Sequence, residues 1–354
     1  MPLSREELQR RVDIRAECEN NAEAARRLGI SRSSLRENLA SAAAKGIATG
    51  SGLEMPEFPP GDVPYLEKRE LQSRSFEARK NSWAAHTWFE IKHKDSLPVG
   101  YAFVGDPHGD DDGHNVPQFD ADMKALAKTE GVYAVAMGDF LNNWPSGGRL
   151  ATKYADQSMS RKDGVEFMRW HLCDIGVPWR LLILGNHDDF TPLMQELIRE
   201  IVRNTGAILH KWDARFVLCF PNGRRCFVKA AHDYKGRSWF HELHGNIRSF
   251  LDCPAHIVAA AHHHDWGKYE HEAPNIAHLM NPGLPFVSHL FRVRGYKHMD
   301  EWALTKDFPD YQEGATALAI IDPLAERGSR FVEIDMDLQR GLERLARMRK
   351  ARAK

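Results

Sequence analysis

The sequence predicts an α/β (α+β) protein in which a mixed strand-and-helix core follows a small helical segment. Three observations predict it. From Leu97 to about Asp337, short apolar runs alternate with stretches of helical period. Up to about Lys45 the pattern is helical only. Between the two, "ATGSGLEMPEFPPGDVP" (Ala48–Pro64) concentrates Gly and Pro and has no periodicity, as a linker does. The organisation expected is residues 1–47 as a helical domain, 48–64 as linker, 65–337 as the core domain and 338–354 as a basic C-terminal helix.

Each element has its own warrant. "SREELQRRVDIRAECE" opens with Ser4 as N-cap and Glu7 three residues on, a capping-box pattern. In "NNAEAARRLGISRSSLRENLASAAAKG", Ala25, Gly29 and Leu35 stand where a helix-turn-helix needs a small packing residue, a turn glycine and a core contact. Ser31 would cap the second helix and place Arg32, Ser33, Ser34 and Arg36 at its groove-facing start. The segment resembles the small DNA-binding helix-turn-helix domains of phage and bacterial regulators; the competing reading is a hairpin that only packs. A charged helix is expected from Tyr65 to about Lys80, then an edge strand within "SWAAHTWFEIKH". "VYAVAMGD", "WRLLILGNHD", "RCFVKAAHD" and "HIVAAAHHHD" are apolar runs that end in polar residues, and "ADMKALAKTEG" and "PLMQELIREIVRNTG" are helical between them. "ARFVLCFPNGRRCFVKA" reads as a hairpin around Asn222-Gly223. "ATALAIIDP" and "SRFVEIDMD" are late strands. In the last helix Leu338, Leu342, Leu345 and Met348 form one stripe, which favours packing over a DNA contact.

Bulk properties narrow the class. A formal net charge of −1 over 354 residues excludes a globally basic nucleic-acid binder while allowing local patches. The 5 cysteines form no CxxC pair, and reduced thiols are expected, Cys219 and Cys226 across their turn included. "MPLSREELQRR" lacks the apolar core of a signal peptide and no stretch is long and apolar enough to span a membrane, so a cytoplasmic protein is expected.

The chemistry gathers where strands end. "GDPH" carries Asp106 and His108, "GDFLNN" carries Asp139, and "GNHD" carries Asn186 and His187. "AHD" carries His232 and "AHHHD" carries His262 and His264. A single histidine is more often a surface or core residue than a ligand. Together, hard oxygen and imidazole donors after successive buried strands point to metal, because a strand running into like charges needs something to neutralise them. Asp110, Asp111, Asp112 and His114 exceed what the pattern needs, and are expected to form a solvated loop with Asx turns.

In order and spacing, these motifs resemble the calcineurin-like metallophosphoesterase superfamily, with its DxH, GDxx, GNH[DE], lone His and GHxH. The wording "GDPHGDDDG" behind a helix-turn-helix is most similar to phage and prophage members. The resemblance implies a β-sandwich flanked by helices and two divalent ions. Asp106, His108 and His264 would hold one ion; Asn186, His232 and His262 would hold the other; Asp139 would bridge them. His187 would contact the phosphate and protonate the leaving oxygen, with Asp188 orienting it. Ala261 stands in place of the usual glycine of the last motif, and Asn142 where many relatives have another polar residue. The donor set lacks thiolate and suits Mn²⁺, with Fe or Zn²⁺ as alternatives.

Two such ions activate a water and neutralise the phosphate. The leading reading is a phosphodiesterase acting on DNA, a nuclease whose helical module raises local substrate concentration. A small-substrate phosphatase or cyclic-nucleotide phosphodiesterase needs the same centre. A DNA-binding regulator with a silent core is the third reading, and a full ligand set argues against it. Arg292, Arg294 and Lys297 are open to either phosphate contact or ion pairing, and Trp144 and Trp266 to base stacking or packing.

Overall fold

The computed structural model describes residues 3–47, 64–86, 88–236, 238, 240–272, 286–298, 314–326 and 330–353. The chain divides into two compact units, Met1–Phe76 and Glu77–Lys354. The Gly/Pro segment lies outside the described residues apart from Pro64.

The first unit holds α1 (Arg5–Ala16), α2 (Asn21–Arg27) and α3 (Arg32–Ala44). Each starts on a side-chain cap: Ser4 Oγ accepts from Glu7 N, Asn20 Oδ1 from Ala22 N and Glu23 N, and Ser31 Oγ from Ser34 N. Gly29 sits between α2 and α3 at φ +66°, a left-handed turn that glycine enters without penalty. Ala24, Ala25 and Leu35 are buried together with Cys18, while Leu8, Val12, Ala42 and Ile47 form a second small core. The unit boundary falls inside α4 (Tyr65–His86), which runs past the Lys80 expected for its end and is exposed from Tyr65 through Asn81.

The second unit is built on two six-stranded sheets. One runs β12 (Val332–Asp335), β11 (Thr316–Ile321), β2 (Val99–Val104), β3 (Val132–Ala136), β4 (Trp179–Leu184), β5 (Ile208–Lys211). Its β2 to β5 are parallel, with β11 antiparallel to β2 and to β12. The other runs β1 (Phe89–Lys92), β6 (Asp213–Cys219), β7 (Arg225–Ala231), β8 (Ile257–Ala260), β10 (Val287–Arg292), β9 (Gly267–Glu272). There β7, β8 and β10 are parallel neighbours, and β6–β7 is the expected hairpin. Its register sets Cys226 against Leu218 and Cys219 against Arg225, so the two cysteines do not face each other.

Side-chain alternation explains the layers. Val99, Tyr101 and Phe103 of β2 point between the sheets, where they meet Phe216, Val228, Ile257 and Phe291. Ala102 and Val104 point the other way, into a core shared with α5 (Val116–Lys128), α7 (Arg161–Arg169), α8 (Pro192–Thr205) and α10 (Leu338–Arg352). Between them in the chain come the short α6 (Ala151–Asp156) and, over the second sheet, α9 (His244–Asp252), whose Phe250 packs on Val258 and Leu290. Buried on both faces, β2 reads as the unbroken apolar run seen in the sequence. In α10, Leu338, Leu342 and Leu345 are buried in that core and Met348 packs against it, so its stripe is a packing face. Among the described residues no helix is long and apolar enough to cross a membrane.

Candidate metal centre

Every sequence-predicted donor follows a strand by a few residues. Asp106 and His108 follow β2, Asp139 follows β3, and Asn186 and His187 follow β4. His232 follows β7, and His262 and His264 follow β8. Three parallel strands of one sheet, β2, β3 and β4, and two of the other, β7 and β8, lead into this site, as strand ends in open α/β sheets commonly do. Two donor groups form there: Asp106, His108 and His264, and Asp139, His232 and His262. Each draws residues from both sheets. Asn186 joins the second group, its Oδ1 lying 3.2 Å from His232 Nε2.

Asp139 lies between the groups. Its Oδ2 is 3.2 Å from His232 Nε2 and 3.9 Å from both His108 Nε2 and His187 Nε2. Asp106 Oδ2 is 3.4 Å from His264 Nε2 and accepts the His262 backbone N–H at 2.9 Å, tying the last loop to the first. His232 Nδ1 donates to the Met137 carbonyl at 2.7 Å, which turns Nε2 toward the site.

The backbone around the donors is unusual. Outside glycine, the left-handed region is occupied by His108, Asp139, Asn143, Trp212, His262 and His264 among the described residues, and four of these are predicted ligands. Such conformations persist where the surroundings over-determine them, and they gather at functional sites. The flanking glycines have a steric reason. A Cβ on Gly185 would fall 2.1 Å from Asp139 Oδ1, and one on Gly138 2.7 Å from His232 Nδ1. The glycines of "GD" and "GN" thus let two strand ends and the Asp139 carboxylate share one space.

The donor set fits cations. Asp106 Oδ1 and His108 Nδ1 are buried with no hydrogen-bond partner, although buried polar atoms are ordinarily paired. Burial disfavours charge on His232, but the Asp106 and Asp139 carboxylates override it and push the imidazolium up to about 10, a demand for positive charge that a bound ion would meet in place of that proton. Burial opposes charge on Asp139 as well, and the surrounding histidines outweigh it and hold the carboxyl well below its usual range. Burial drives His108 well down and His262 to about 4, so both offer neutral imidazole.

The structure corrects two expectations. Asp188 does not touch the His187 ring. It is fully buried, its Oδ2 accepting from Asp139 N and Gly185 N and its Oδ1 from Phe140 N, so it ties the β3 and β4 loops together. The His187 ring is set by the Asn142 carbonyl, 2.7 Å from Nδ1. The acidic run is not a solvated loop either. Asp110 and His114 are buried, and Asp111 forms its Asx turn to Gly113 N while also pairing with Lys297 at 2.8 Å. Only Asp112 is exposed, and it accepts from Ser158 Oγ. Burial is possible because nearby amides supply the donors that water would otherwise provide.

Other candidates resolve similarly. Arg292 is buried, donating to the Ala261 carbonyl at 3.1 Å and lying 3.4 Å from both Asp233 and Asp265, so its role is ion pairing. Ala261 is buried without disturbing β8, and Arg294 lies over the half-exposed Trp266 ring. Trp144 meets His187 edge-on at 4.8 Å. Trp212, not singled out in the sequence, is half-exposed and edge-on to His232 at 5.2 Å. In the first unit Arg32, Ser33 and Arg36 are exposed and Ser34 half-buried, with both serine hydroxyls bonded to Ser31 Oγ.

The sequence profile described as "Calcineurin-like phosphoesterase" matches residues 101–295, more than half of the chain. The chain belongs to the calcineurin-like phosphoesterase family. That span includes every donor named above. No curated protein sequence matches. Among solved structures, the calcineurin-like phosphoesterase YfkN from Bacillus subtilis is similar over 73% of this chain and 99% of that one, with 9% identity and a TM-score of 0.30. Members of the calcineurin-like phosphoesterase family are dinuclear metal-dependent hydrolases of phosphoesters, and the two donor groups match that requirement in number and chemistry.

Proposed function

We propose that the protein is a dinuclear metal-dependent phosphodiesterase acting on DNA, a nuclease that takes Mn²⁺ in preference to Fe or Zn²⁺. The observation that carries the reading is Asp139, one carboxylate within reach of both donor groups. Asp106, His108 and His264 would hold one ion; Asn186, His232 and His262 would hold the other; Asp139 would serve both. When bound, the ions supply charge neutralisation at the phosphate and an activated water.

The chain's own residues complete the reaction. His187 spends Nδ1–H on the Asn142 carbonyl, which leaves Nε2 facing the centre. The donor form is the imidazolium, with a second N–H at Nε2. As water oxygen attacks phosphorus and gives up a proton to solvent, the bond from phosphorus to the leaving oxygen breaks and Nε2–H passes its proton to that oxygen, leaving neutral imidazole. DNA as substrate is supported by the exposed Arg32 and Arg36 at the start of α3, with Ser33 and Ser34 beside them. Positive side chains and a helix N-terminus are the usual means of holding a phosphate backbone.

The test is a substrate panel with Mn²⁺: a bis-nitrophenyl phosphodiester, nitrophenyl phosphate, cyclic nucleotides and duplex and single-stranded DNA. Diester and DNA cleavage, abolished by chelator, are expected. Faster turnover of the monoester with intact DNA would make the protein a small-substrate phosphatase. His187→Gln should keep its metal and lose turnover by about 10²- to 10⁴-fold on poor leaving groups, less on nitrophenol.

A further inference from the structure

We propose that Asp110 is a positioning residue for His187, holding the Asn142 carbonyl on which the imidazole is anchored. The proposal rests on the reading of His187 as the proton donor. Asp110 is 1% exposed, and no motif requires a carboxylate there. Its Oδ1 accepts the Asn142 backbone N–H at 2.5 Å. Its Oδ2 accepts the Asn143 N–H at 3.2 Å and the Gln157 amide at 3.1 Å. Two successive backbone N–H groups pointing at one anion form a small nest, and here the anion belongs to the chain.

The next link is the ring itself. The carbonyl of Asn142 lies 2.7 Å from His187 Nδ1, and the Asn143 side chain donates to the His187 carbonyl at 2.7 Å. Asn143 is in turn held by Thr191 Oγ1 at 2.6 Å, and Asn142 Nδ2 by Asp111 Oδ2 at 2.6 Å. Asn143 sits at φ +49°, so the turn is strained and relies on these bonds. Two turns are thereby locked around one imidazole: the ring plane is set by a carbonyl whose peptide neighbours are gripped by Asp110.

A carboxylate suits the place because three donors converge on it and it has only acceptors to offer. An asparagine would present its own N–H groups to one of the backbone donors. Room is made by Gly164 of α7, where a Cβ would come within 2.9 Å of Asp110 Cβ. This accounts for the carboxylate that the metal motifs leave without a role.

The experiment is a double-mutant cycle on the full-length, Mn²⁺-loaded protein with two diesters, one with a nitrophenol and one with an alkyl leaving group. Asp110→Asn should keep its metal and change KM little. It should lower kcat by about 10- to 100-fold for the alkyl leaving group and clearly less for nitrophenol. Added to His187→Gln, it should cause no further loss beyond about twofold, because the residue it positions is gone. A full additional loss on the His187→Gln background, or an equal loss for both leaving groups, overturns the proposal. If Asp110→Asn does not fold, Asp111→Ala carries the same test through the Asn142 side chain, with a smaller loss of the same pattern expected. If His187→Gln itself lacks leaving-group dependence, the proton-donor reading fails, independently of whether the two mutations add.

Discussion

Asp139 belongs to one donor group and lies 3.9 Å from His108 of the other, so its replacement tests bridging against ordinary ligation. Asp139→Asn is expected to retain less metal per chain by elemental analysis than either His108→Ala or His264→Ala, each of which touches one group only. Equal retention would place Asp139 in a single site. A second residue-scale prediction lies away from the centre. Burial pushes Asp122 up to about 6, against hydrogen bonds from Tyr296 and Gln339, with Asp337 adding to the rise. Its folded value lies above the ordinary carboxylate value, so the folded state binds the extra proton. The resulting stability is fully present below about pH 4 and is lost as pH rises through about 6. The swing is at most about 2–3 kcal/mol. Asp122→Asn should flatten that part of the pH–stability curve measured by denaturant unfolding, and an unchanged curve would assign the slope elsewhere.

At the scale of elements, what could be read in advance was whatever depends on local pattern. The buried strands β2, β3, β4, β7 and β8 were legible because two-sided burial leaves mainly apolar runs, interrupted only by Arg180 in β4 and by Arg225 and Lys229 in β7, and the donors were legible because each follows such a run closely. The partners of Asp188 and Asp110 were not legible. Asp188 meets Asp139 N across 49 positions and Asp110 meets Asn142 N across 32, and no periodicity records which way a buried carboxylate turns. The boundary of α4 was missed because the charged pattern fades before the helix does. Two element-scale substitutions follow. Gly185→Ala should displace the Asp139 carboxylate and lower metal content without touching a ligand, since its Cβ would overlap Oδ1. Wild-type metal content would show that the β4 loop yields. In α10, Leu345 is fully buried and its Cδ2 would lie 2.9 Å from a Cβ on Gly100. Leu345→Ala should cost about 2–5 kcal/mol of unfolding free energy, which a loosely attached basic helix would not show.

On the scale of the whole molecule, the two compact units allow the chemistry and the proposed DNA affinity to be tested apart. Residues 1–47 lie in the first unit and all the proposed ligands in the second. Removing 1–47 should leave hydrolysis of a small diester almost unchanged and weaken DNA binding. Arg32→Ala with Arg36→Ala should reproduce much of that loss and lower the salt slope by roughly 0.9 for each phosphate contact removed. Undiminished DNA affinity after truncation, measured at two salt concentrations, would leave the three helices a packing role only. Within the second unit, one feature reaches beyond the reaction. Each donor group takes residues from both sheets, Asp106 and His108 with His264, Asp139 with His232 and His262. A bound ion is therefore also a rivet through the sandwich: it can be held only while the two layers stay docked. Each rivet should add about 2.7 kcal/mol when free metal is about 100 times its Kd. Stripping the ions should lower the melting temperature and speed amide exchange first at the facing ends of β2, β3, β7 and β8, so that the same residues that gather the ions would also hold the layers shut.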